Sequence, residues 1–388
     1  MAVREHAAPP AIAVKLAPIA GGLYHSLALT PGGAVWAWGW DITGQLCNGN
    51  AKGSDVPQKV RLLGGTRVVA IAAGFAHTMA VTSTGAVLNC GKNDDGELGN
   101  GGSSDSAVPV KVDLPAGTKV TAVSAGAGQS LALTASGEVL AWGLNLYGAL
   151  GNGSMGGSSA TPVNVSLPPG TKVTAIAAGS LHSLALTSTG AVLAWGFNTD
   201  GELGDGGTVN SDVPVTVKLP AGTRVTAIAA GGYYSLALTS TGKVLAWGYN
   251  ADGELGDGVS ADSYVPVNVK LPAGTKATAI AAGGPLYGVG SYVAGPGHSL
   301  AIISGGRVLA WGDNADGQLG DGTTANSYVP VRVKLPPGMK VTSIAAGQLQ
   351  SLAVTSRGAV LAWGGNNFGQ LGDGSYKGSD VPVHVDMP

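Results

Sequence analysis

Charge and aromatic rings are scarce in this chain. Asp, Glu, Lys and Arg make up 11% of its 388 residues and Phe, Tyr and Trp 5%, with three phenylalanines in all. The 21 basic and 23 acidic residues leave a net charge of −2, which argues against a protein whose main work is to coat nucleic acid. No apolar run reaches 18 residues, so no membrane-spanning helix is expected. Residues 1–16 place Glu5, Pro9 and Pro10 where a signal peptide needs an apolar stretch. The expectation is a cytoplasmic protein, or a secreted one whose signal has been removed. The two cysteines, Cys47 and Cys90, have no metal-type spacing and read as small buried thiols rather than a disulfide or redox pair. Glycine is what abounds, with 65 residues, beside 44% hydrophobic residues that exclude a disordered chain.

The glycines lie on a repeat. Trp-Gly or its equivalent recurs at Trp38, Cys90, Trp142, Trp195, Trp247, Trp311 and Trp363, at intervals of 52, 52, 53, 52, 64 and 52 residues. Self-similarity at such a period marks an array of supersecondary units. Each unit holds four strand-like runs, which in the fourth are Val173–Ala177 (A), Ser183–Thr187 (B), Val192–Trp195 (C) and Val213–Val217 (D). Short glycine-bearing links join them, and no helical period is sustained. Seven four-stranded units predict an all-β, seven-bladed β-propeller with antiparallel blades. The A strands read Ala-Ile-Ala-Ala-Gly, small enough to converge on an axis. The C strands read Val-Leu-Ala-Trp-Gly, apolar throughout as strands packed on both faces are. The expected layout is an N-terminal segment, 1–14, and one propeller domain, 15–388, with repeats at 15–66, 67–118, 119–171, 172–223, 224–275, 276–339 and 340–388.

The pattern G-x-x-H-S-L-A-L followed by G-x-V-x-x-W-G-x-N-x-x-G-x-L-G-x-G resembles the repeat of the regulator of chromosome condensation family, in its bacterial type. The resemblance covers 15–388 and implies the same propeller. It does not fix a function, because the family includes a nucleotide-exchange factor for a small GTPase, a plant UV-B photoreceptor and a bacterial β-lactamase inhibitor. The photoreceptor's Gly-Trp-Arg-His-Thr motif is absent, so light sensing is not expected. The exchange factor's inserted wedge has no clear counterpart.

The other motifs read as structural. His25, His77, His182 and His298 share one repeat position with Gln129, Tyr234 and Gln350, which suits a side chain bonding the neighbouring loop rather than a metal or catalytic site. The loops at 93–101, 198–206 and 250–258 have the look of calcium loops but lack the glutamate that closes one. No metal site and no cofactor are expected.

Departures from the repeat carry the functional information. Antiparallel order puts the A–B and C–D loops on one face of the disc. That face collects all three phenylalanines, Phe75, Phe197 and Phe368, together with Tyr24, Trp40, Tyr147, Tyr233 and Tyr249. The 284–297 insertion in unit six adds Tyr287 and Tyr292. Asp41, Asp94, Asp95, Asp200, Asp252, Asp313 and Asp316 lie among them. Aromatics on loops over a rigid scaffold make a recognition surface, so the expected function is a monomeric scaffold that binds a protein partner there. One alternative is an enzyme holding an apolar small molecule in the axial depression under the insertion, with Asp41, which replaces the usual Asn, as its acid. The other is a purely structural module. On the opposite face Lys15, Arg67, Lys119, Lys172, Arg224, Lys276 and Lys340 precede the A strands as a basic ring, read as a solubility feature rather than a nucleic-acid site.

Overall fold

The computed structural model describes residues 18–284 and 296–388. They form seven four-stranded sheets, each built from strands consecutive in sequence. In blade 4 the strands are Val173–Ala178 (A), His182–Thr187 (B), Val192–Gly196 (C) and Ser211–Thr216 (D), all antiparallel. Strand D thus starts two residues earlier than its apolar run suggests. Pro214 sits inside that strand, which is the unpaired edge where a missing N–H is tolerated. The only helical element among the described residues is a 3-10 turn at Leu146–Gly148.

Burial follows the radius of the disc. Strands B and C of blade 4 are buried almost throughout, whereas D is half-buried or exposed. The A strands surround an axial cavity of about 420 Å³, lined by Ala, Gly and β-branched side chains such as Ile71, Val123, Ile228 and Ile344.

The blades are joined by one device used repeatedly. Trp38, Trp142, Trp195, Trp247, Trp311 and Trp363 are completely buried. Each indole Nε1–H donates to a carbonyl in the C–D loop of the preceding blade, as from Trp195 to Ala149 at 2.9 Å and from Trp247 to Glu202 at 2.8 Å. The first hydroxyl of the same blade's strand B reaches that carbonyl too, Ser183 Oγ at 3.2 Å and Ser235 Oγ at 3.0 Å. A glycine two residues beyond the carbonyl lies against the indole. A Cβ added to Gly151 would come within 2.7 Å of the Trp195 ring, and the backbone there has φ +65°, so only glycine fits on both counts.

The same bonds close the ring. Trp38 Nε1 and Ser26 Oγ of blade 1 both donate to the Gln370 carbonyl of blade 7 at 2.9 Å, and Gly372 faces Trp38. Among the described residues the four strands of blade 7 are consecutive and run from Val341 to His384. Residues 1–17, including Lys15 of the basic ring, lie outside the described residues.

The cysteines depart from the sequence expectation. Cys47 and Cys90 are joined as a disulfide, with Cα atoms 5.7 Å apart, where two separate thiols were expected. They stand four decades of sequence apart, but the blade 1–blade 2 interface brings them together, which sequence spacing does not reveal.

A large buried ring at each interface gives a sharp expectation. Trp195→Ala should destabilise the propeller by about 3–5 kcal/mol, because transfer and cavity terms add and the Ala149 carbonyl loses a donor. Chemical denaturation measures this; an unchanged midpoint and slope would show that the indole does not hold blades 3 and 4 together.

Candidate functional site

The C–D loops of blades 2 to 7 owe their shape to one asparagine each. In blade 4, Asn198 Oδ1 accepts from Leu203 N at 2.9 Å, and its Nδ2 donates to the carbonyls of Gly207 and Val209 at 3.2 and 3.1 Å. Asn93, Asn250, Asn314 and Asn366 do the same in their blades. These loops are therefore tied by an amide that serves as acceptor and donor, and the calcium-like pattern is accounted for without an ion. Among the described residues no cluster of His, Cys, Asp and Glu has the arrangement of a metal site.

The repeated histidine is likewise structural. His182 Nε2 meets Ser235 Oγ at 3.0 Å and His298 Nε2 meets Ser351 Oγ at 2.8 Å, each in strand B of the next blade rather than in a loop. Where Gln or Tyr stands instead, the partners are carbonyls of the next blade, as for Gln129 to Gly179 at 3.1 Å and Tyr234 to His298 at 2.6 Å. Burial lowers His25, His182 and His298 to about 3 and His77 to about 4, so all four are neutral rings at physiological pH.

The aromatic residues of the loop face assemble into two groups. Tyr24, Trp40 and Phe368 meet across the seam between blades 7 and 1, with ring centroids 4.6 Å apart for Tyr24–Phe368 and 6.0 Å for the other two pairs. Tyr24 and Trp40 are half-buried, Phe368 is 37% exposed, and neighbouring Ile42 is 64% exposed. The second group joins blades 3 to 5. Phe197 lies 5.0 Å from Tyr147 and 5.8 Å from Tyr233, and Leu144, Leu146, Leu181 and Tyr249 pack around them. Here the expectation of displayed rings needs correction, because Phe197 and Tyr233 are buried as the floor of the group, with Tyr147 and Tyr249 at its rim. Tyr147 is held at φ 59°, ψ 18°, a left-handed conformation costly for an aromatic residue. Phe75 stands apart and lines the axial cavity. Tyr287 and Tyr292 lie outside the described residues.

Among the described residues the carboxylates of the blade 4 to 6 C–D loops make no ion pair, although Lys218, Lys270 and Lys334 lie beside Gly206, Gly258 and Gly322 of those loops. The C–D loops of blades 4, 5 and 6 carry Asp200, Glu202, Asp205, Asp252, Glu254, Asp257, Asp262, Asp313, Asp316 and Asp321, and no lysine or arginine. Blade 2 differs, since Lys92 Nζ lies 2.8 Å from Glu97 and 3.4–3.5 Å from Asp94 and Asp95. Burial raises Glu202 and Glu254 to about 8, with neighbouring aspartates adding to the effect. Asp200 is raised by burial and by Asp262, Asp313 and Asp316 chiefly by burial, and Tyr249 is pushed up to about 12. Sequence inspection noted aspartates on this face but missed Glu202 and Glu254. Their signal was there: the repeat has Gln in blades 1, 6 and 7 where these glutamates stand.

Asp41 occupies the loop-tying position that is Asn elsewhere. Its Oδ1 accepts from Leu46 N at 2.7 Å, but its buried Oδ2 has no hydrogen-bond partner. It does not line the axial cavity, contrary to the role of acid there considered from the sequence. Burial raises it from its ordinary 3.8 to about 7, the backbone amides of Leu46 and Lys52 opposing the shift. Between those two values the folded chain keeps a proton that the unfolded chain has released, so stability falls as pH rises through that window. Asp41→Asn restores the donor. It should stabilise the fold by about 1–3 kcal/mol at pH 8 and by much less at pH 4, allowing for partial solvent screening. Denaturation at both pH values checks this; a pH-independent difference would show that Asp41 does not titrate with folding.

The described members of the basic ring are exposed. Their aliphatic stems cover turn glycines of the preceding blade, Arg67 over Gly33 and Lys172 over Gly137, and Arg67 and Arg224 donate to the carbonyls of Pro31 and Thr189. These contacts give the ring a packing role.

Comparison with known proteins places this geometry. The model of the RCC1-like domain matches residues 3–289, and that of the regulator of chromosome condensation (RCC1) repeat matches 305–354 and 357–388. The chain is 32% identical over 387 residues to the ultraviolet-B receptor UVR8 of Arabidopsis thaliana, spanning all of this chain and 84% of that one. The crystal structure of human WBSCR16 superposes with a TM-score of 0.79 at 26% identity, over 92% of this chain and 95% of that one. Yeast Prp20p, from Saccharomyces cerevisiae, has the same fold, with a TM-score of 0.78 at 24% identity over 97% of this chain and 88% of that one. Seven blades of one repeat, a family match along nearly the whole chain and a relative of the same extent establish that the protein belongs to the RCC1-like family.

Proposed function

We propose that this propeller is a recognition scaffold whose A–B and C–D loop face binds a protein partner. The observation that carries the reading is the coincidence of the half-exposed Tyr24–Trp40–Phe368 group with aspartate-rich C–D loops in blades 4 to 6 whose carboxylates make no ion pair among the described residues. Rings with a wet edge supply contact area at low entropic cost, and the half-exposed loop aspartates select and steer a partner of opposite charge. The left-handed Tyr147 supports the reading, because strain of this kind is retained where a side chain must be presented. The partner's complementary surface is accordingly basic, with apolar or aromatic side chains at its centre.

Related folds agree with a binding role in general terms. Prp20p has been crystallised bound to Kap60, and its binding to Gsp1p and histones has been described. Those partners belong to that protein; what carries over is that this kind of propeller can serve as a protein-binding platform. The axial cavity offers a small-molecule alternative less support, since its described lining is mostly Gly, Ala and β-branched residues with Leu23 and Phe75, and Ser180, Ser124 and Gln348 are its polar side chains.

The test is affinity purification with quantitative mass spectrometry, comparing the parent with Tyr24→Ser, Trp40→Ser and Phe368→Ser variants. A Lys172→Gln/Lys276→Gln variant, altered on the opposite face, is the control. A genuine partner should fall at least about tenfold with the loop-face variants and weaken between 50 and 300 mM salt, while the control retains it. Equal recovery across all variants of unchanged melting temperature would move the binding surface elsewhere.

A further inference from the structure

Six of the seven blade interfaces use a glycine facing an indole. The glycines are Gly99, Gly151, Gly204, Gly256, Gly320 and Gly372, and a Cβ at any of them would come within 2.6–2.8 Å of the facing tryptophan. At the interface of blades 1 and 2 both members of the pair have changed. Cys47 stands in the glycine position and Cys90 in the tryptophan position, and the two sulfurs are bonded.

The replacement is reciprocal in physical terms. An indole at position 90 would collide with any side chain at position 47, and a glycine at 47 facing a cysteine would leave the volume of an indole unfilled. Cys47 also keeps the glycine's backbone, with φ 54° against +60° to +69° in the six glycines. It is one of only two non-glycine residues with positive φ among the described residues. A side chain placed at such a cost is there for what it does. Other parts of the interface are unchanged: Thr78 Oγ1 donates to the Gln45 carbonyl at 2.8 Å, as the serines do elsewhere, and His25 Nε2 meets Thr78 Oγ1 at 3.1 Å.

We propose that Cys47–Cys90 is a thiol–disulfide site built in place of the Gly–Trp wedge, and that it makes the blade 1–blade 2 interface sensitive to dithiol reductants. The Cα separation of 5.7 Å lies in the range that a disulfide spans. A thiolate of the reductant attacks one sulfur, the Cys47–Cys90 bond breaks, and a mixed disulfide forms. The reductant's second thiol then displaces the remaining cysteine. The protein gains two electrons and two protons as two thiols, and the reductant becomes a disulfide. Both residues are 1% exposed, so attack waits for the interface to open. Once reduced, two thiols cannot fill the space of an indole, and the interface is left weaker than its six counterparts. Cys47 lies in the same C–D loop as Trp40, so loosening reaches the loop that carries one ring of the seam group.

The site can be tested without knowing the partner. Alkylation of the purified chain after denaturation, with and without prior dithiothreitol, should label no cysteine in the untreated protein and two in the reduced one. Reduction should lower the melting temperature by about 3–10 °C. The Cys47→Gly/Cys90→Trp double variant should melt at least as high as the oxidised parent and ignore the reductant. Cys90→Trp alone should melt well below the double variant, because Cys47 occupies the ring's space. Two labelled thiols in the air-oxidised protein would overturn the proposal. So would a melting temperature unmoved by reduction, or a double variant no more stable than the two single changes combined.

Discussion

A tryptophan pressed against a glycine of the next blade is the interaction on which this molecule depends. The indole fills the widening space between two blades, while its N–H shares with a strand B hydroxyl the task of satisfying a buried loop carbonyl. The glycine is required because both its left-handed backbone and the ring's approach exclude a Cβ. Each interface therefore fixes three things together: blade spacing, loop conformation and hydrogen-bond satisfaction. The same contact joins blade 7 to blade 1.

Rigidity at the interfaces is what frees one face of the disc. The C–D loops are anchored by an asparagine at their base and by the carbonyl that receives the indole N–H. Residues at the loop tips answer to neither requirement, so rings and carboxylates can accumulate there at little cost to the scaffold. Glu202 and Glu254 are instead completely buried beneath the tips, accepting from the Asp200 and Asp252 amides, and burial with neighbouring aspartates raises their proton affinity. The opposite face shows the contrasting economy: its lysines and arginines lay their stems over turn glycines and keep their charge in water.

Deviations from the repeat are informative to unequal degrees. Asp41 for Asn alters one atom of a loop tie and converts a satisfied donor into a proton-dependent one. Cysteine for both glycine and tryptophan replaces a noncovalent wedge by a covalent one. Glutamine or tyrosine for histidine preserves the link to the next blade by other atoms, showing that the bond and not the imidazole is required. The first two substitutions, with Trp40 and Tyr24, cluster in and around blade 1, which is the least regular of the seven.

Sequence alone determined the number of blades, their strand order and the buried tryptophans. Those properties follow from local periodicity, and a period repeated seven times makes each unit evidence for the next. The histidines were legible as structural for the same reason. Only the tertiary structure decided what meets across a blade interface, because contacts there join residues about fifty positions apart whose separation no local rule encodes. It joined Cys47 to Cys90, set Phe197 and Tyr233 beneath Tyr147 rather than beside it, and drew Asp41 away from the axis into its own loop. Pairing, depth and solvent access depend on how neighbouring blades pack, and packing is a property of the assembled ring.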